Sequence, residues 1–325
     1  MSRSPRIVFG MAAYGRADAI AQTLESLLGQ TLGDLAIVIV DDRPTPEVRA
    51  IVEGYAAADD RVRYEPNPQR LGMIGNWRHA FWRSRELFPQ SDYFAWVSDH
   101  DVWHPRWAEV LSGVLDTQPH VVMAYPQSMR VYRKYRRRVS ANVASITGAV
   151  REDRMTAAAT AMTAGNAIYG LFRARALERA GVFRPVLLPD RQLLVELALY
   201  GEFIHAPEIL WYREVAGAFS YERQRRMFFT GRAPLYTRLP VNVQHAAVLL
   251  WDLAVVGRGR PEFGRLAGAS YAAKHLWHTT RRAVMRRTVD RRVDRRRAAR
   301  QAPSPPAGKQ DGAGMAADNR VNTGV

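Results

Sequence analysis

The clearest indication of the fold class is the segment Arg6–Asp42, RIVFGMAAYGRADAIAQTLESLLGQTLGDLAIVIVDD. It opens with a β-rich apolar run, Arg6–Ala12, and closes with a second one, Leu35–Asp42. Between them, apolar residues recur at helical spacing from Ile20 to Leu28. Uninterrupted apolar runs are typical of strands that are buried on both faces. The segment therefore predicts a strand–helix–strand unit of an α/β protein.

The same alternation continues along the chain to residue 127. The predicted elements are helix Pro46–Ala58, strand Arg61–Pro66, helix Met73–Leu87, strand Asp92–Asp99, helix Arg106–Gln118 and strand His120–Gln127. Strands that alternate with helices build a parallel or mixed sheet with helices on both faces. We therefore predict such a sheet for residues 6–127.

The second half has a less regular pattern. Residues 154–181 predict two helices around a short extended piece, Asn166–Phe172. Further helices are predicted at Pro189–Gly201, Val243–Gly257 and Ser270–Arg287. Residues 301–325 are rich in proline, glycine and alanine and have no periodicity, which predicts a disordered tail.

The composition narrows the class of protein. The chain has 325 residues, of which 47% are hydrophobic and 24% charged, as in ordinary globular proteins. It has no cysteine, which excludes disulfides and thiolate zinc sites. The N-terminus lacks the apolar core of a secretory signal, and the longest apolar stretch, Ala246–Val256, is too short to span a bilayer. These features predict a soluble, cytoplasmic protein.

The positive charge is concentrated in two segments. Residues 281–300 contain ten arginines and two aspartates, and Arg130–Arg138 contains six arginines and lysines. The formal net charge of the chain is +16. Such segments attract the phosphates of lipids or nucleic acids, although many are only solvated surface. Both explanations remain open for each segment.

Two predicted strands end in acids. Asp41 and Asp42 follow the second strand, and Asp99 and Asp101 stand in the stretch WVSDHDVWHP after the fourth. Residues two apart in an extended segment point the same way, so Asp99 and Asp101 can share one target. That target is a metal ion, a sugar hydroxyl or the N–H groups of the next helix. Helix capping is the simpler explanation for Asp41 and Asp42, whereas the spacing favours a ligand site at Asp99 and Asp101.

Three blocks of sequence together resemble the family 2 glycosyltransferases of the GT-A fold. They are residues 8–42, residues 61–77 (RVRYEPNPQRLGMIGNW) and the acidic stretch SDHD at residues 98–101. The resemblance extends over about residues 5–215. It implies a Rossmann-like mixed sheet flanked by helices, with a helical C-terminal extension. It also implies an enzyme that moves one sugar from a nucleoside-diphosphate donor to an acceptor hydroxyl.

The resemblance also implies how the chain is organised. Its parts would be a donor-binding half at residues 1–127, an acceptor and catalytic-base half at residues 128–235, basic helices at residues 236–300 and the tail.

Four residues would bind the donor nucleoside, according to the resemblance. Tyr14 would lie against the base, and Asp42 would accept hydrogen bonds from the base or ribose. Asn76 matches a recurrent position of the family, and Arg70 is a further candidate for contact with the base or phosphate. The donor would carry UDP, dTDP or GDP.

The resemblance places the metal at the stretch Asp99–Asp101. Asp99 would touch the ribose, and both acids would hold Mg²⁺ or Mn²⁺ on the diphosphate. His100, between them, is either a donor to phosphate or a solvent-facing ring.

Asp190 matches the position of the family's catalytic base, which accepts the proton of the acceptor hydroxyl in an inverting transfer. Its neighbour is Pro189, where the family usually has a second acid. A further departure is Arg43, after Asp42, where the family has a small residue. Asp190 also stands where a helix N-cap is expected.

The predicted acceptor is a saccharide or a lipid-linked saccharide, in keeping with cell-envelope or polysaccharide synthesis. Arg281–Arg300 suggests peripheral docking at the inner face of the cell membrane. The alternatives are a scaffold that binds nucleotide sugars without catalysis, for which the departures argue, and a nucleic-acid-binding protein, for which the charge argues. The last ranks third because no nucleic-acid module accompanies the charge.

Overall fold

The chain folds around one nine-stranded mixed sheet. The computed structural model describes residues 4–131, 137–139, 144–162, 164–214 and 220–301. In these ranges the strands are β1 (Ile7–Ala13), β2 (Leu35–Asp41), β3 (Val62–Pro66), β4 (Tyr93–Val97), β5 (Val102–Trp103), β6 (Val121–Val131), β7 (Arg137–Val139), β8 (Leu171–Arg173) and β9 (Glu202–Glu214).

Helices cover both faces of this sheet and form the C-terminal part of the described chain. They are α1 (Ile20–Leu28), α2 (Pro46–Ala58), α3 (Gly72–Leu87), α4 (Trp107–Thr117), α5 (Arg151–Thr160), α6 (Ala164–Ala167), α7 (Ala174–Ala180), α8 (Pro189–Leu197), α9 (Tyr221–Phe228), α10 (Val241–Leu250), α11 (Arg260–Phe263) and α12 (Arg265–Gln301). A 3₁₀ turn spans Leu235–Arg238, and a π-helical turn, Trp251–Val255, continues α10.

The strand order is β3-β2-β1-β4-β8-β6-β9-β5, with β7 paired to β6. The neighbours β3, β2, β1 and β4 run parallel, and β6 runs parallel to β9. β8 is antiparallel to both β4 and β6, and β5 is antiparallel to β9. The carboxyl ends of β1, β2 and β4 therefore lie at one edge of the sheet.

Both faces of the central strands are buried, which explains their uninterrupted apolar sequences. Along β1, Val8 packs on one face with Phe81 of α3, while Phe9 packs on the other with Leu24 of α1. All four side chains are fully buried. The sheet thus forms the middle of a three-layer structure. The predicted mixed sheet flanked by helices, with a helical C-terminal extension, is confirmed.

The longest strand was not among the predicted elements. β9 has 13 residues and includes Pro207, which argues against a strand because proline donates no backbone hydrogen bond. The pairing with β6 passes directly from Ala206 to Ile209, so Pro207 and Glu208 form a bulge that the ladder excludes. The strand itself continues on both sides of that bulge.

The chain divides into two units near its C-terminal end. Residues 1–282 form one compact unit, and residue 283 begins a second. The predicted tail, apart from Gln301, lies outside the described residues, as does most of the basic segment Arg130–Arg138. No helix of the described chain is long and apolar enough to cross a membrane. The division of residues 1–235 into donor and acceptor halves stays a prediction.

Candidate functional site

Polar residues follow β1, β2 and β4 where these strands end at the same edge of the sheet. They include Tyr14, Asp42 and Asp99. Asp99 links two of the strand ends, because its Oδ2 accepts a hydrogen bond of 2.7 Å from the backbone N–H of Tyr14. This edge is where ligands bind in open α/β sheets.

Asp101 is held by β9. The backbone N–H of Glu214 donates to its Oδ1 over 2.8 Å, and the indole Nε1–H of Trp211 donates to its Oδ2 over 3.1 Å. Only 2% of Asp101 is exposed, and this burial raises the pKa of its carboxyl group. A cation at Asp101 would therefore stabilise a carboxylate that has lost most of its water.

His100 lies between the two acids and contacts Asp99. Its Nδ1 is 2.7 Å from Asp99 Oδ1. Burial disfavours the imidazolium, but the hydrogen bond to Asp99 and the charges of Asp101 and Asp99 outweigh burial and raise the pKa of His100. His100 therefore supplies a hydrogen-bond donor within the acidic segment.

Asp42 holds the N-terminus of α3. Its carboxylate accepts hydrogen bonds from the backbone N–H groups of Leu71, at 2.5 Å, and Gly72, at 2.9 Å. The helix that directly follows Asp42 is α2, and its N-terminus is capped by the hydroxyl of Thr45, which accepts from Val48 N–H. The idea that Asp42 caps the helix after it is thus wrong. Asp42 caps a helix that starts 30 residues later.

Asn76 ties the ends of β1 and β2 together. Its Nδ2 donates to the carbonyls of Ala13 and Val40, each over 3.3 Å, and its Oδ1 accepts from Asn67 Nδ2 over 2.8 Å. Asn67 Nδ2 is also 3.1 Å from Asp42 Oδ1. Asn76 is 2% exposed, so its amide is engaged within the fold. The contact of Asn76 with the donor stays a prediction. In the structure, the hydrogen bonds of Asn76 position the ends of β1 and β2.

Tyr14 presents an exposed ring beside two guanidinium groups. Its exposed fraction is 46%, and the guanidinium carbons of Arg43 and Arg70 lie 5.8 Å and 5.5 Å from its ring centroid. Arg70 Nε is also 3.9 Å from Asp42 Oδ2. This surface offers stacking together with hydrogen-bond donors, which suits a nucleobase or phosphate. The sequence marked Arg43 only as a departure from the family.

Asp190 lies in the first turn of α8. The helix begins at Pro189, and the preceding Leu188 is its N-cap residue, so an N-cap role for Asp190 is wrong. Leu188 has a φ of 51°, a left-handed conformation that is unfavourable for leucine. Desolvation by the surrounding protein raises the pKa of Asp190, which suits a proton acceptor.

Arg213 of β9 lies next to Asp190. A Cβ atom on Gly165 would lie 3.7 Å from Arg213 Nη1 and 3.9 Å from Asp190 Oδ2, so both groups flank this glycine. Arg213 Nη1 donates to the Gly165 carbonyl over 3.0 Å. Burial raises the pKa of Asp190 and of Asp101, and the charge of Arg213 opposes this rise at both. Arg213 therefore acts electrostatically on the predicted base and on a predicted metal ligand.

Tyr169 connects these groups. Its ring packs against Trp211 at 4.7 Å and Trp77 at 5.5 Å between centroids. Burial raises the pKa of its phenol, and four nearby charges also act on it: Asp101, Arg213, Asp99 and Asp190. The three predicted acids thus share one neighbourhood around Tyr169. The sequence marked Tyr169 only as part of an extended piece, and no pattern distinguished it.

The donor atoms at Asp99 and Asp101 fit a hard cation that also binds phosphate. Mg²⁺ is usually held by one or two carboxylates together with substrate phosphates. Each of these carboxylate oxygens accepts one of the hydrogen bonds described above, which leaves a lone pair for a metal. Among the described residues, no group of three or more histidine or acidic side chains is placed to hold a metal ion.

The family comparison agrees with this geometry. Residues 9–178, just over half of the chain, match the profile described as glycosyl transferase family 2. The chain belongs to glycosyl transferase family 2. The matched range includes the strand-end residues Tyr14, Asp42, Asp99 and Asp101, and it ends before Asp190.

The individual proteins that are similar to this chain share little sequence identity with it. An uncharacterized glycosyltransferase of Haemophilus influenzae is 24% identical over 121 residues, which is 37% of this chain and 36% of that relative. The match therefore spans little more than a third of the relative's length.

Solved structures share the fold. S. aureus TarS residues 1–349 in complex with UDP-GlcNAc superposes with a TM-score of 0.60 and 12% identity, over 85% of this chain and 72% of that one. The mannosyltransferase PcManGT of Pyrobaculum calidifontis, in complex with GDP-Man and Mn²⁺, gives a TM-score of 0.52 and 17% identity, over 94% and 78%.

Proposed function

We propose that this chain is a glycosyltransferase that moves a single sugar from a nucleoside-diphosphate donor to an acceptor hydroxyl with inversion. The observation that carries the proposal is that β9 lies beside both sets of acids: the backbone N–H of Glu214 donates to Asp101, and the neighbouring Arg213 flanks Gly165 together with Asp190. An inverting transfer needs a diphosphate grip and a base within one substrate's length, and these acids supply both.

The donor nucleoside would lie over the exposed ring of Tyr14, with Arg70 and Arg43 at its edge or phosphates. Asp42 and Asn76 would keep this surface in place through the start of α3 and the strand ends. Solved structures with this fold contain UDP-GlcNAc or GDP-Man, so a UDP, dTDP or GDP sugar is the donor class to test.

Asp99 and Asp101 would hold Mg²⁺ or Mn²⁺ on the diphosphate, as the presence of Mn²⁺ in the PcManGT complex also suggests. A divalent cation there would neutralise charge that develops on the departing nucleoside diphosphate. Trp211 and Glu214 keep the Asp101 carboxylate in one orientation by donating to its two oxygens. Such outer contacts strengthen metal binding by fixing the ligand.

Asp190 would accept the proton of the acceptor hydroxyl as that oxygen attacks the anomeric carbon. Its raised pKa makes it a stronger base than an exposed aspartate. Arg213 is close enough to stabilise the negative charge that forms during transfer. The acceptor would be a saccharide or lipid-linked saccharide of the cell envelope, reached at the cytoplasmic face of the membrane.

Calorimetry with a panel of nucleoside diphosphates and nucleotide sugars, with and without Mn²⁺, tests the donor site. We expect one nucleoside class to bind in a metal-dependent manner and its affinity to fall at least about tenfold in Asp101→Asn. The matched control is Asp116→Asn, because Asp116 lies away from the site beside Arg6 and Tyr93. No binding of any nucleotide would contradict the proposal.

The scaffold alternative predicts the same binding but no transfer. Donor binding without sugar transfer to any acceptor or to water, in both the native chain and Asp190→Asn, would support the scaffold. A nucleic-acid-binding protein would instead bind DNA or RNA with an affinity that falls steeply as salt rises.

A further inference from the structure

The C-terminal helices expose apolar side chains that the sheet does not. Among the described residues, 15 large hydrophobic side chains are exposed, and 12 of them lie beyond residue 220. Within residues 4–131, Tyr14 is the exposed large hydrophobic side chain, and it belongs to the candidate site. Exposed apolar groups that are concentrated in one region indicate an interaction surface.

Six of these side chains belong to two antiparallel helices, α10 with its π turn and α12, and four of the six lie within residues 241–282: Leu250, Trp251, Leu266 and Trp277. Asn242 at the start of α10 hydrogen-bonds Thr280 of α12, whereas a Cβ on Gly268 of α12 would meet the backbone of Leu253. The two helices therefore run side by side in opposite directions. We call this pair, residues 241–282, the helical hairpin.

The inner side of the hairpin is tightly packed. Leu249 and Leu253 on one helix and Tyr271 and Ala272 on the other are buried in the same core cluster as the sheet residues. A Cβ on Gly268 would clash with the Leu253 carbonyl oxygen, so the backbones of the two helices approach closely there. The hairpin is thus fixed to the main body of residues 1–282 and is not a loose extension.

The outer side of α12 is amphipathic. At about 100° per residue, Leu266, Ala273 and Trp277 project within about 40° of one another. Leu266 is 89% exposed and Trp277 is 68% exposed. Lys274 and Arg281 follow on the adjoining strip of the same helix, and both are exposed. An apolar strip with a tryptophan, bordered by basic residues, is typical of a helix that lies in a membrane interface.

The neighbouring helix adds a second tryptophan. Trp251 is 59% exposed and Leu250 is 43% exposed, next to the π turn. The ten arginines of residues 281–300 begin in the sequence directly where the exposed strip of the hairpin ends. An anionic surface matches this charge, because basic residues near such a surface are attracted to its lipid phosphates.

We propose that the outer side of the helical hairpin docks on an anionic lipid bilayer, with Trp277, Trp251 and Leu266 entering the interfacial layer. Lys274 and Arg281, which border the apolar strip, contact the lipid phosphates. Tryptophan favours this layer because its ring is apolar and its N–H finds a partner there. This surface is independent of the transfer reaction, since none of these residues belongs to the candidate site.

Co-sedimentation of the full chain with vesicles tests the proposal. We expect binding to phosphatidylcholine vesicles that contain phosphatidylglycerol, and little binding to phosphatidylcholine alone. Trp277→Ser should lower the partition coefficient about tenfold, and the double variant with Trp251→Ser more, because each change removes buried apolar area. Leu235→Ser is the matched control, since Leu235 is equally exposed at 68% but lies outside the hairpin.

The variants are compared at equal thermal stability and equal nucleotide binding, which shows that each has folded. Equal partition of native chain and double variant would overturn the proposal, as would equal binding to neutral and anionic vesicles. Failure to bind any vesicle would also overturn it and would point to a protein partner for the hairpin. None of these outcomes depends on whether sugar transfer occurs.

Discussion

Two groups of buried carboxylates in this molecule differ in the partners that compensate their charge. The first group is Asp99, Asp101 and Asp190 at the sheet edge, and the second is Glu196 and Asp252 beneath the C-terminal helices. Burial raises the pKa of Asp101 and Asp190 in the first group, and it raises the pKa of Glu196 to about 7 in the second.

The second group is neutralised from within the protein. Arg184 donates to Glu196 over 3.0 Å and to Asp252 over 2.7 Å. The backbone N–H groups of Arg258 and Gly259 also donate hydrogen bonds to the carboxylate of Asp252. Asp99 and Asp101 instead accept from backbone N–H groups, an indole and His100. Burial of an acid is therefore a weak sign of function, and a guanidinium hydrogen-bonded directly to both acids distinguishes the second group.

The largest expected effect is that of Asp190→Asn on sugar transfer. The amide keeps the size of the side chain but accepts no proton from the acceptor, so kcat should fall by roughly 10²- to 10⁴-fold. Donor affinity and thermal stability should stay close to those of the native chain. Steady-state transfer kinetics together with calorimetry measure both quantities. Native kcat in this variant would mean that the base is a different residue and that Asp190 belongs with the structural acids.

The next effect concerns stability. Glu196→Ala should lower the free energy of unfolding by about 3 kcal/mol, because Gln192 and Arg184 lose a buried acceptor while Arg184 keeps only Asp252. Glu196→Gln is the matched control, since it retains a hydrogen-bonding oxygen. Urea unfolding gives the free energies, and kcat per folded molecule should be unchanged in both variants. A large loss of kcat with normal stability would place Glu196 in the active site and remove the contrast.

Much of the first half could be predicted from sequence because its signals are local. The apolar runs of β1, β2 and β4 are buried on both faces, and the acids stand directly at the strand ends. The two-residue spacing of Asp99 and Asp101 was visible for the same reason. The hydrogen-bond partners of Asp42 could not be predicted, because α3 starts 30 residues further along the chain.

The contacts of the acids could not be predicted, because they depend on long-range pairing. Trp211 and Glu214 reach Asp101 only since β9 lies beside β5 and β6, and Pro207 hides that strand in the sequence. Arg213 joins the acids through the same pairing, whereas Tyr169 precedes β8, which pairs with β4 and β6. From the sequence alone, the aromatic and arginine residues of this stretch are therefore equally compatible with a buried core and with a ligand-binding cleft.

The smallest predicted effect comes from a buried group that has no partner. His275 is 2% exposed, neither ring nitrogen has a hydrogen-bond partner among the described residues, and burial lowers the pKa of His275 to about 3. His245, which contacts the Leu187 carbonyl, has its pKa lowered by burial to about 4, and Arg191 and His278 also face this pair.

Because the unfolded chain protonates these rings near pH 6.5 and the folded chain does not, their contribution to stability is complete above that pH. It is lost as the pH falls toward the folded pKa values, with a slope of roughly 1.4 kcal/mol per pH unit for each ring. In His275→Phe and His275→Gln we expect urea unfolding between pH 6 and pH 4 to lose about one ring's share of this slope. An unchanged slope in both variants would mean that His275 takes up a proton in the folded state. His275 would then have an acidic or aqueous partner. It would no longer be a buried titratable group without a partner, which is what distinguishes it from the two groups of acids.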